Sequence, residues 1–377
     1  MRRRNSYDVH EAKTTRVIVA GGGTGGHLFP GIAVSQELRQ RGVDVLFVAT
    51  ENRLTLDALN RYGLPVRTIK AEGIKGHSPI QVIRALAIVP SAIFDSIAIL
   101  RSFRPQLTLG VGGYVSGPVT IGAWLMRMKT AIQEQNSVPG LTNRILGRFV
   151  SSVFIAFPES EGYFPARKTV LTGNPVRQEL LNSMLKEHER GQLFTVLVLG
   201  GSQGAHRLNE LMTESLAELR DMGGMLSFVH QTGKQDEDWV RSAYEGLGFK
   251  ARVSAFINDM GSAYSEADLV VCRAGAGTLA ELTALGKPSL LVPYPYAANN
   301  HQEGNARSLE KDGAAKVLIQ ADLTPSGLAA EIKALYNDRN LLEGMVSSAL
   351  KRGKARAASL IADECLRMIQ EGKLDAD

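Results

Sequence analysis

The segment VIVAGGGTGGHLFPG, residues 17–31, places Thr24 and His27 in a cluster of glycines that follows an apolar run. The glycines are Gly21, Gly22, Gly23, Gly25 and Gly26. Glycine permits positive φ angles and lets backbone N–H groups crowd around an anion, and a helix that starts here adds its positive end. Histidine is the usual proton-transfer side chain near neutral pH, although at a helix start it can also serve only a local hydrogen bond. The segment therefore predicts an anion-binding turn with an imidazole beside it.

The same glycines satisfy the G-x-G-x-x-G spacing of a dinucleotide-binding turn, with Glu51 near the end of the next strand as a candidate ribose ligand. Two features argue against that interpretation. The turn holds more glycines than a pyrophosphate turn uses, and His27 would point into the space of the ligand. A second turn of the phosphate-binding type, GGSQGA at 200–205, offers Ser202 as a further hydroxyl donor. Two such turns predict two phosphorylated ligands.

Two further segments of the first half end predicted strands with groups that can bind a ligand. Residues 110–119, GVGGYVSGPV, form either a contact surface or a tight strand-to-helix packing turn, and the candidates are Gly112, Gly113, Tyr114 and Ser116. Residues 132–140, IQEQNSVPG, bring a carboxylate and two amides to a strand end, at Glu134, Gln135 and Asn136. Solvated loop residues are the alternative there. Ligand sites in parallel α/β sheets form at this end of the strands, which favours a role at a site.

In the second half, CRAGAGTLAEL at 272–282 has the small residues of a helix that starts close to a ligand, with Glu281 about one turn into it. The helix N-terminus predicts an anion site and the carboxylate suits a ribose diol, whereas a helix start set by packing alone is the alternative. The loop PYPYAANNHQEGNA at 293–306 clusters His301, Gln302 and Asn305. Amide-rich loops of this kind contact sugar hydroxyls, or else form turns and caps.

Strand and helix signals alternate along the chain, which predicts parallel sheets covered on both faces. Strands are predicted in the first half at 16–20, 43–49, 107–112 and 151–157. The pattern of strand, glycine turn and helix restarts at residue 194, with further strands at 226–232, 251–257, 267–272, 288–294 and 314–319. We therefore predict an α/β fold of two Rossmann-like, doubly wound domains that face each other across a cleft. The predicted boundaries are a disordered tail at 1–14, a first domain at 15–174 and a second domain at 175–349.

Charge is unevenly divided along the 377 residues. Residues 1–150 carry 19 Lys and Arg against 9 Asp and Glu, and the remainder carries 24 against 29. The basic half predicts an anionic partner, and basic residues that are scattered without a recognisable motif argue against nucleic acid. Two cysteines, Cys272 and Cys365, cannot build a disulfide framework, as is typical of a reducing cytoplasm. The sequence has neither a secretory h-region nor an apolar run of about 20 residues.

The stretch at 73–105 is rich in Ile, Ala and Leu and contains Pro90 and four basic residues, Lys75, Arg84, Arg101 and Arg104. It predicts either two core helices around Pro90 or a partly exposed apolar patch whose basic fringe lies on an anionic bilayer. The positive charge of the first half favours the second interpretation. The D-x-D at 236–238 is predicted to be a solvated surface, and no metal site is predicted.

Eight segments, in order, resemble the motifs of the MurG family of peptidoglycan UDP-N-acetylglucosamine:lipid I N-acetylglucosaminyltransferases. The resemblance covers nearly the whole chain from residue 15, through GGGTGGHLFPG, GVGGYVSGP, EQNSVPGLTNR, GNPVR, LGGSQGA, FINDM, CRAGAGTLAE and NNHQEGNA. It implies a GT-B fold, a C-terminal helix at about 350–377 that packs back onto the first domain, and peripheral attachment to the cytoplasmic face of the bacterial cell membrane. It also implies peptidoglycan synthesis, with roles in cell shape and division, no cofactor, and other cell-wall synthesis proteins as partners.

The resemblance implies that UDP-GlcNAc lies mainly on the second domain and that the diphosphate of lipid I lies on the glycine turns of the first. Ser202 would hold phosphate, the backbone of Ile257 the uracil, and residues 276–281 the phosphates and ribose. The implied donor contacts are Thr24, Gly25, Gly26, Asn136, Arg177, Ser202, Ile257, Ala276, Gly277, Thr278, Leu279, Ala280, Glu281, His301 and Gln302. The implied acceptor contacts are Gly22, Gly23, Gly112, Gly113, Tyr114 and Ser116.

The implied reaction inverts the sugar: the C4 hydroxyl of the muramoyl residue attacks the anomeric carbon of GlcNAc opposite UDP, through an oxocarbenium-like transition state. The reaction needs a base, for which His27 and Glu134 are the two candidates. The chain departs from the family at Gln133, where the family has His, and at Gly277 and Ala280, where bulkier or hydroxyl residues often occur. The role of that first His therefore does not transfer, and at 277 and 280 the resemblance implies backbone contacts rather than side-chain contacts.

Three other functions fit parts of the pattern. A UDP-GlcNAc 2-epimerase shares the two-domain architecture but needs neither the apolar patch nor His27. A nicotinamide oxidoreductase accounts for Glu51 but leaves the second anion turn unexplained. A membrane subunit that only binds a sugar nucleotide would not retain both His27 and Glu134.

Overall fold

The computed structural model describes residues 14–71, 79–183, 192–201 and 204–374, and it contains two parallel sheets. The first sheet has the strand order β3-β2-β1-β4-β5-β6-β7. Its strands are β1 Arg16–Ala20, β2 Asp44–Ala49, β3 Val66–Thr68, β4 Leu107–Gly110, β5 Lys129–Glu134, β6 Ser152–Ile155 and β7 Thr169–Leu171. The second sheet has the order β10-β9-β8-β11-β12-β13. Its strands are β8 Phe194–Leu199, β9 Leu226–Gln231, β10 Lys250–Ser254, β11 Leu269–Cys272, β12 Ser289–Leu291 and β13 Ala315–Val317.

Helices connect the strands and cover both sheets. Those up to residue 183 are α1 Gly25–Gln40, α2 Arg53–Arg61, α3 Pro79–Phe103, α4 Ser116–Leu125, α5 Leu141–Leu146 and α6 Gln178–Ser183. The later ones are α7 His206–Ser215, α8 Glu237–Gly246, α9 Met260–Glu266, α10 Ala276–Ala284, α11 His301–Lys311, α12 Pro325–Asn337, α13 Arg339–Arg352 and α14 Ala357–Leu374. Several helices start at side-chain caps: Asn52, Thr324 and Asp338 each accept a hydrogen bond from the backbone N–H three residues later.

The central strands are buried because helices lie on both faces of each sheet. Residues 17–20 of β1 are fully buried, and β8 is buried along its whole length. Their near-continuous runs of Val, Ile and Leu are typical of parallel strands without a solvent face. The predicted α/β fold of two doubly wound sheets is confirmed.

The last helix, α14, completes the core of the first sheet although it follows the second sheet in sequence. Its buried side chains pack with those of β1 and α1, and they are Ile361, Ala362, Cys365, Met368 and Ile369. Arg41, which caps α1, ion-pairs with Asp363 and donates a hydrogen bond to Ser359 Oγ at 2.7 Å. The chain therefore crosses between the two sheets twice, before β8 and before α14.

The local structure differs from the sequence prediction at two places. The alternative of two helices around Pro90 is not observed, since α3 continues through this residue. Pro90 is exposed, so water can satisfy the carbonyl that lacks its N–H partner. The three-residue strands β3 and β7 were not predicted, because each lies at a sheet edge and is only partly buried.

Several predictions fall outside the described residues. These are the tail at 1–14 apart from Thr14, the side chains of Lys75 and Arg84, and Ser202 of the second glycine turn. None of the helices in the described part of the chain combines the length and the apolar character needed to cross a membrane.

Each sheet reverses its strand order at one point, and the glycine turns follow the strands at these points. In the first sheet the reversal lies between β1 and β4, and in the second sheet between β8 and β11. Loops leave a reversal point in opposite directions and open a crevice at the carboxyl ends of the strands. Four of the predicted ligand segments therefore lie at the two places where this topology forms binding sites.

Candidate active site

The two glycine turns of the first sheet pack directly against each other. Gly22 and Gly23 have φ angles of +130° and +90°, and Gly112 and Gly113 have +92° and +78°. A Cβ atom on Gly113 would lie 2.1 Å from the carbonyl oxygen of Gly22, so a side chain at 113 is excluded unless the turns move apart. Glycine is thus required at this contact both by the backbone angle and by space.

His27 lies in the first turn of α1 with its ring over the backbone of Gly112. A Cβ on Gly112 would lie 2.4 Å from His27 Cδ2 and 2.9 Å from Nε2. The other ring nitrogen, Nδ1, lies 3.1 Å from Oγ1 of Thr24, whose side chain is exposed. Burial of the ring, with a smaller contribution from the charge of His301, lowers the pKa of His27 to about 4. The imidazole is therefore neutral at pH 7 and has a lone pair available to accept a proton.

Glu134, the second candidate for the base, is held by N–H donors on both carboxylate oxygens. Oε1 accepts hydrogen bonds from the backbone and side-chain amides of Asn136, at 2.9 and 3.2 Å. Oε2 accepts from Gly140 N at 3.1 Å and from Asn143 Nδ2 at 2.9 Å. The residue is 1% exposed, and burial raises the pKa of its carboxyl group despite these donors. In this conformation Glu134 shapes the loop at 135–143 rather than facing open space.

The same loop joins the two halves of the molecule across the cleft. The side chain of Asn305, in the second turn of α11, accepts a hydrogen bond from Ser137 N at 2.8 Å and donates one to Asn136 Oδ1 at 3.2 Å. Both ends of the Asn136 amide are thus bonded within the protein, to Asn305 and to Glu134. Glu159 adds a contact by accepting a hydrogen bond from Ser308 Oγ at 2.7 Å.

In the second half, Gln231 links the glycine turn that follows β8 to Ile257. Its Nε2 donates to the carbonyl of Gly201 at 2.8 Å, and its Oε1 accepts from Ile257 N at 3.0 Å. The backbone N–H of Ile257 is therefore bonded within the protein. Its carbonyl is the group left for the predicted contact to uracil. No motif identified Gln231, although a polar residue at the end of an apolar run is the signal that marked Glu134.

Arg177 and Glu281 contact each other between the domains. Arg177 Nη2 lies 3.6 Å from Glu281 Oε1, and Tyr264 donates a hydrogen bond to Glu281 Oε2 at 2.9 Å. The Arg177 guanidinium also lies over the ring of Phe29 in α1, 4.4 Å from its centroid. Burial raises the pKa of Glu281, and the charge of Arg177 opposes that shift. These side chains join the crossover before β8 to α1 and to α10.

The remaining predicted donor contacts lie at the start of two helices. Gly277, Thr278 and Ala280 are half-exposed in α10, and Ala276 begins that helix. In α11, Gln302 Oε1 accepts a hydrogen bond from Tyr294 N at 2.9 Å, which directs the amide into the loop at 293–300. His301 Nδ1 lies 2.6 Å from the Ala298 carbonyl, and the ring is near enough to His27 to affect its pKa.

Two of the predicted contact residues have buried side chains. The side chain of Ser116 is fully buried, and its Oγ lies 2.3 Å from where a Cβ on Gly110 would be, so this hydroxyl packs against β4. Leu279 is 1% exposed within the core of the second sheet, and its N–H bonds to the Gly275 carbonyl. By contrast, Tyr114 is 50% exposed beside the turn at Gly23.

A cavity of about 800 Å³ lies elsewhere, beside α13 and the crossover before β8. Its lining includes Asp268 and Pro288, which precede β11 and β12. These are the amino ends of the strands, so the cavity is remote from the glycine turns and is not the candidate active site.

The arrangement can bind anions on both sides of a cleft and accept a proton between them. Backbone N–H groups of the glycine turns and of the first turns of α1 and α10 have no intrahelical partners and are suited to phosphate oxygens. Neutral His27 lies beside the turns of the first sheet, near His301 at the start of α11. Within the residues that the structure describes, no group of three His, Cys, Asp or Glu side chains is arranged to hold a metal ion.

Comparison with known proteins identifies the architecture and its relatives. Residues 17–155 match the profile of the glycosyltransferase family 28 N-terminal domain, and residues 195–361 match that of the glycosyltransferase family 28 C-terminal domain. A protein of Syntrophus aciditrophicus is 47% identical over 95% of this chain and 99% of its own length. A protein of Myxococcus xanthus is 46% identical over 94% of this chain and 93% of its own length. Both are named UDP-N-acetylglucosamine–N-acetylmuramyl-(pentapeptide) pyrophosphoryl-undecaprenol N-acetylglucosamine transferase.

Solved structures agree with this comparison. The crystal structure of Acinetobacter baumannii MurG superimposes with a TM-score of 0.74 and 32% identity, over 94% of this chain and 99% of that one. A UDP-GlcNAc 2-epimerase from Neisseria meningitidis reaches a TM-score of 0.71 at 16% identity, over 94% of this chain and all of its own. The epimerase likeness shows a shared fold only. The resemblance recognised in the sequence motifs is confirmed.

Proposed function

The chain belongs to glycosyltransferase family 28, and we propose that it transfers GlcNAc from UDP-GlcNAc to the C4 hydroxyl of MurNAc in lipid I, forming lipid II for peptidoglycan synthesis. The observation that carries this proposal is an imidazole packed against the paired glycine turns of the first sheet, in a chain 47% identical to a relative named for the reaction. UDP-GlcNAc and lipid I each contain a diphosphate, so one ligand occupies each set of turns.

The donor occupies the second domain in this proposal. The turn at 200–205 and the N-terminus of α10 bind the diphosphate of UDP, the Ile257 carbonyl contacts the uracil, and Glu281 contacts the ribose. Arg177 lies beside Glu281, and we assign it to neutralise the charge that develops on the departing phosphate. Gln302, whose amide nitrogen has no acceptor within the described residues, contacts the GlcNAc hydroxyls.

The acceptor occupies the first domain. Its diphosphate lies on the paired turns at Gly22, Gly23, Gly112 and Gly113, with Tyr114 at the edge. The C4 hydroxyl attacks the anomeric carbon from the face opposite UDP, and we assign its proton to His27, because Glu134 is enclosed by its four N–H donors. The bond from the anomeric carbon to UDP breaks with its electron pair on the β-phosphate, so the configuration inverts.

Transfer of labelled GlcNAc from UDP-GlcNAc to a lipid I analogue tests the function. We expect transfer to depend on both substrates, and UDP-GlcNAc at 100 times its Kd should stabilise the protein by about 2.7 kcal/mol whereas NADH should not. The measurement is product formation together with thermal unfolding. Absence of transfer, stabilisation by NADH alone, or conversion of UDP-GlcNAc to an epimer without acceptor would refute the proposal.

We further propose that the first domain attaches peripherally to the cytoplasmic face of the cell membrane, where other cell-wall synthesis proteins meet it. Large apolar side chains are exposed on three helices that pack in succession, α3, α4 and α5: Phe94 at 73%, Trp124 at 46%, Leu125 at 56%, Leu141 at 63% and Ile145 at 50%. Basic residues lie on or directly after the same helices, at Arg101, Arg127, Arg144 and Arg148. Apolar side chains with a cationic fringe suit an anionic lipid surface.

The double substitution Phe94→Ser and Leu125→Ser is expected to weaken binding to vesicles that contain anionic phospholipid by about tenfold or more, because two exposed apolar side chains no longer enter the lipid. Co-sedimentation measures the binding. Leu341→Ser removes a comparably exposed leucine, 48%, from the second domain and should have no effect. Equal losses in both variants, or none in either, would contradict the proposed surface.

A further inference from the structure

Three buried amide side chains form a chain of hydrogen bonds behind His27. Gln133, Gln135 and Asn174 are 0%, 2% and 5% exposed. Gln135 Nε2 donates to Gln133 Oε1 at 2.5 Å, and Gln133 Nε2 donates to Asn174 Oδ1 at 2.9 Å. The chain runs from the crossover between the domains to the glycine turn after β4.

A backbone carbonyl determines the direction of these hydrogen bonds. Gln135 Nε2 also donates to the carbonyl of Val111 at 2.6 Å, and a carbonyl can only accept. The amide of Gln135 is therefore oriented with its nitrogen toward Val111, and Gln133 must then present its oxygen. If any one of these amides were rotated by 180°, two N–H donors or two oxygen acceptors would face each other in place of a hydrogen bond.

This orientation leaves Gln135 Oε1 without a hydrogen-bond partner although it is buried. The atom lies on the same side of Gly112 as the imidazole: a Cβ there would be 3.3 Å from Gln135 Oε1 and 2.9 Å from His27 Nε2. Leaving a buried acceptor unpaired is unfavourable, because it has lost its hydrogen bonds to water. Solvent does not reach this atom, and the Nε2 edge of the His27 ring is a hydrogen-bond donor that lies close to the same point.

We propose that Gln135 is a positioning residue for the base: its Oε1 accepts the Nε2–H of His27 and so keeps the lone pair on Nδ1, toward Thr24 and the cleft. This inference rests on the proposed role of His27 in GlcNAc transfer. It identifies the nitrogen that takes the proton as Nδ1, which lies 3.1 Å from Thr24 Oγ1.

The proton then follows a defined route. As the C4 oxygen bonds to the anomeric carbon and UDP leaves, the proton of the C4 hydroxyl moves to Nδ1 of His27. The transfer is either direct or through Thr24 Oγ1. In the second case Thr24 gives its own hydroxyl proton to Nδ1 and receives the proton of the C4 hydroxyl. The ring becomes an imidazolium whose Nε2–H is already bonded to Gln135 Oε1. Hydrogen bonds to a charged donor are worth more than neutral ones, so the contact strengthens as the positive charge forms.

Nitrogen-15 NMR of the histidine side chains, at pH 7 in the full-length protein, tests the inference. The two neutral tautomers have distinct nitrogen shifts, and the His27 signals are identified by their loss in His27→Gln. We expect the Nε2–H tautomer in the unsubstituted protein. Predominance of the Nδ1–H tautomer would overturn the proposal, whatever the activity of the enzyme.

A pair of substitutions separates positioning from loss of a buried amide. Gln135→Met is expected to produce a mixture of His27 tautomers and to lower kcat about tenfold or more with little change in the KM for UDP-GlcNAc. Gln133→Met removes an amide from the same hydrogen-bonded chain but leaves Gln135 bonded to Val111, so the Nε2–H tautomer should persist. An unchanged tautomer in Gln135→Met, or the same change in both variants, would refute the assignment.

If the protein fails to transfer GlcNAc to lipid I but keeps the Nε2–H tautomer, the proposed function fails and the contact to Gln135 stands as structural. If transfer occurs with the opposite tautomer, only the inference about Gln135 fails.

Discussion

Replacing His27 with alanine is expected to lower kcat for GlcNAc transfer by about 10²–10⁴-fold, because the acceptor hydroxyl loses the group that takes its proton. The thermal unfolding midpoint should change little, since the only side-chain hydrogen bond recorded for the ring in the structure is the one to the exposed Thr24 side chain. Transfer of labelled GlcNAc at saturating substrates measures the rate. Activity within a fewfold of the unsubstituted enzyme would exclude His27 as the base.

The companion variant Glu134→Gln distinguishes the two candidates for the base. Each carboxylate oxygen of Glu134 accepts hydrogen bonds from two N–H groups, and in glutamine one of these oxygens becomes an NH₂ group that cannot accept them. We therefore expect the loop at 135–143 to be destabilised by about 1–3 kcal/mol. The unfolding midpoint should fall in Glu134→Gln and not in His27→Ala. Full transfer activity in both variants would show that neither residue is the base.

The pH dependence of kcat/KM should reflect the lowered pKa of His27. A base acts in its deprotonated form, so activity is lost as pH falls through the pKa, which is about 4 in the free protein. An ordinary histidine would cause the same loss near pH 6.5. An acid limb near pH 6.5 would show that the ring is not in the environment described.

Substituting Gly113 with alanine should be the most disruptive single-methyl change in the first domain. The new Cβ would lie 2.1 Å from the Gly22 carbonyl oxygen, and the residue has a φ of +78°. Overpacking together with the unfavourable backbone angle is expected to cost about 2–4 kcal/mol. A shift of about 1 Å in the turn can also lower kcat about 100-fold, because the turn at Gly22 precedes His27.

Gly42 provides the matched control for this substitution. It has the same φ of +78°, but no atom lies within 4 Å of where its Cβ would be. Gly42→Ala should therefore cost only the backbone term, about 1 kcal/mol, and leave kcat unchanged. Urea unfolding and transfer kinetics compare the two variants. Equal effects would mean that the contact between the two turns contributes neither to stability nor to kcat.

Local sequence patterns predicted the elements that present the site. Continuous apolar runs identified β1 and β8, and the glycines after them identified the turns at the reversal points of both sheets. These signals are contained in a few adjacent residues, because strand burial and positive φ are local requirements. The edge strands β3 and β7 lack that signal, since only one neighbour and little burial define them.

The contacts that organise the site could not be predicted in the same way. Asn305 bonds to Ser137 across 168 positions, and Arg177 reaches Glu281 and Phe29 from a crossover that no periodic pattern describes. Nothing in the local sequence distinguishes Gln231 from the other amide residues. Its role depends on β9, which places it between the loops that contain Gly201 and Ile257. Such pairings depend on how the two domains are placed, and spacing along one chain does not specify that placement.

The return of α14 to the first sheet has a consequence for synthesis on the ribosome. Residues 361–369 fill the core beneath β1 and α1, yet they are translated after the whole second sheet, whose strands and helices are contiguous in sequence. At 5–20 residues per second, roughly 10–40 s separate the end of β7 from the start of α14. The second domain can therefore fold first. Until α14 has been synthesised, the core of the first domain, which holds His27, keeps an exposed apolar surface.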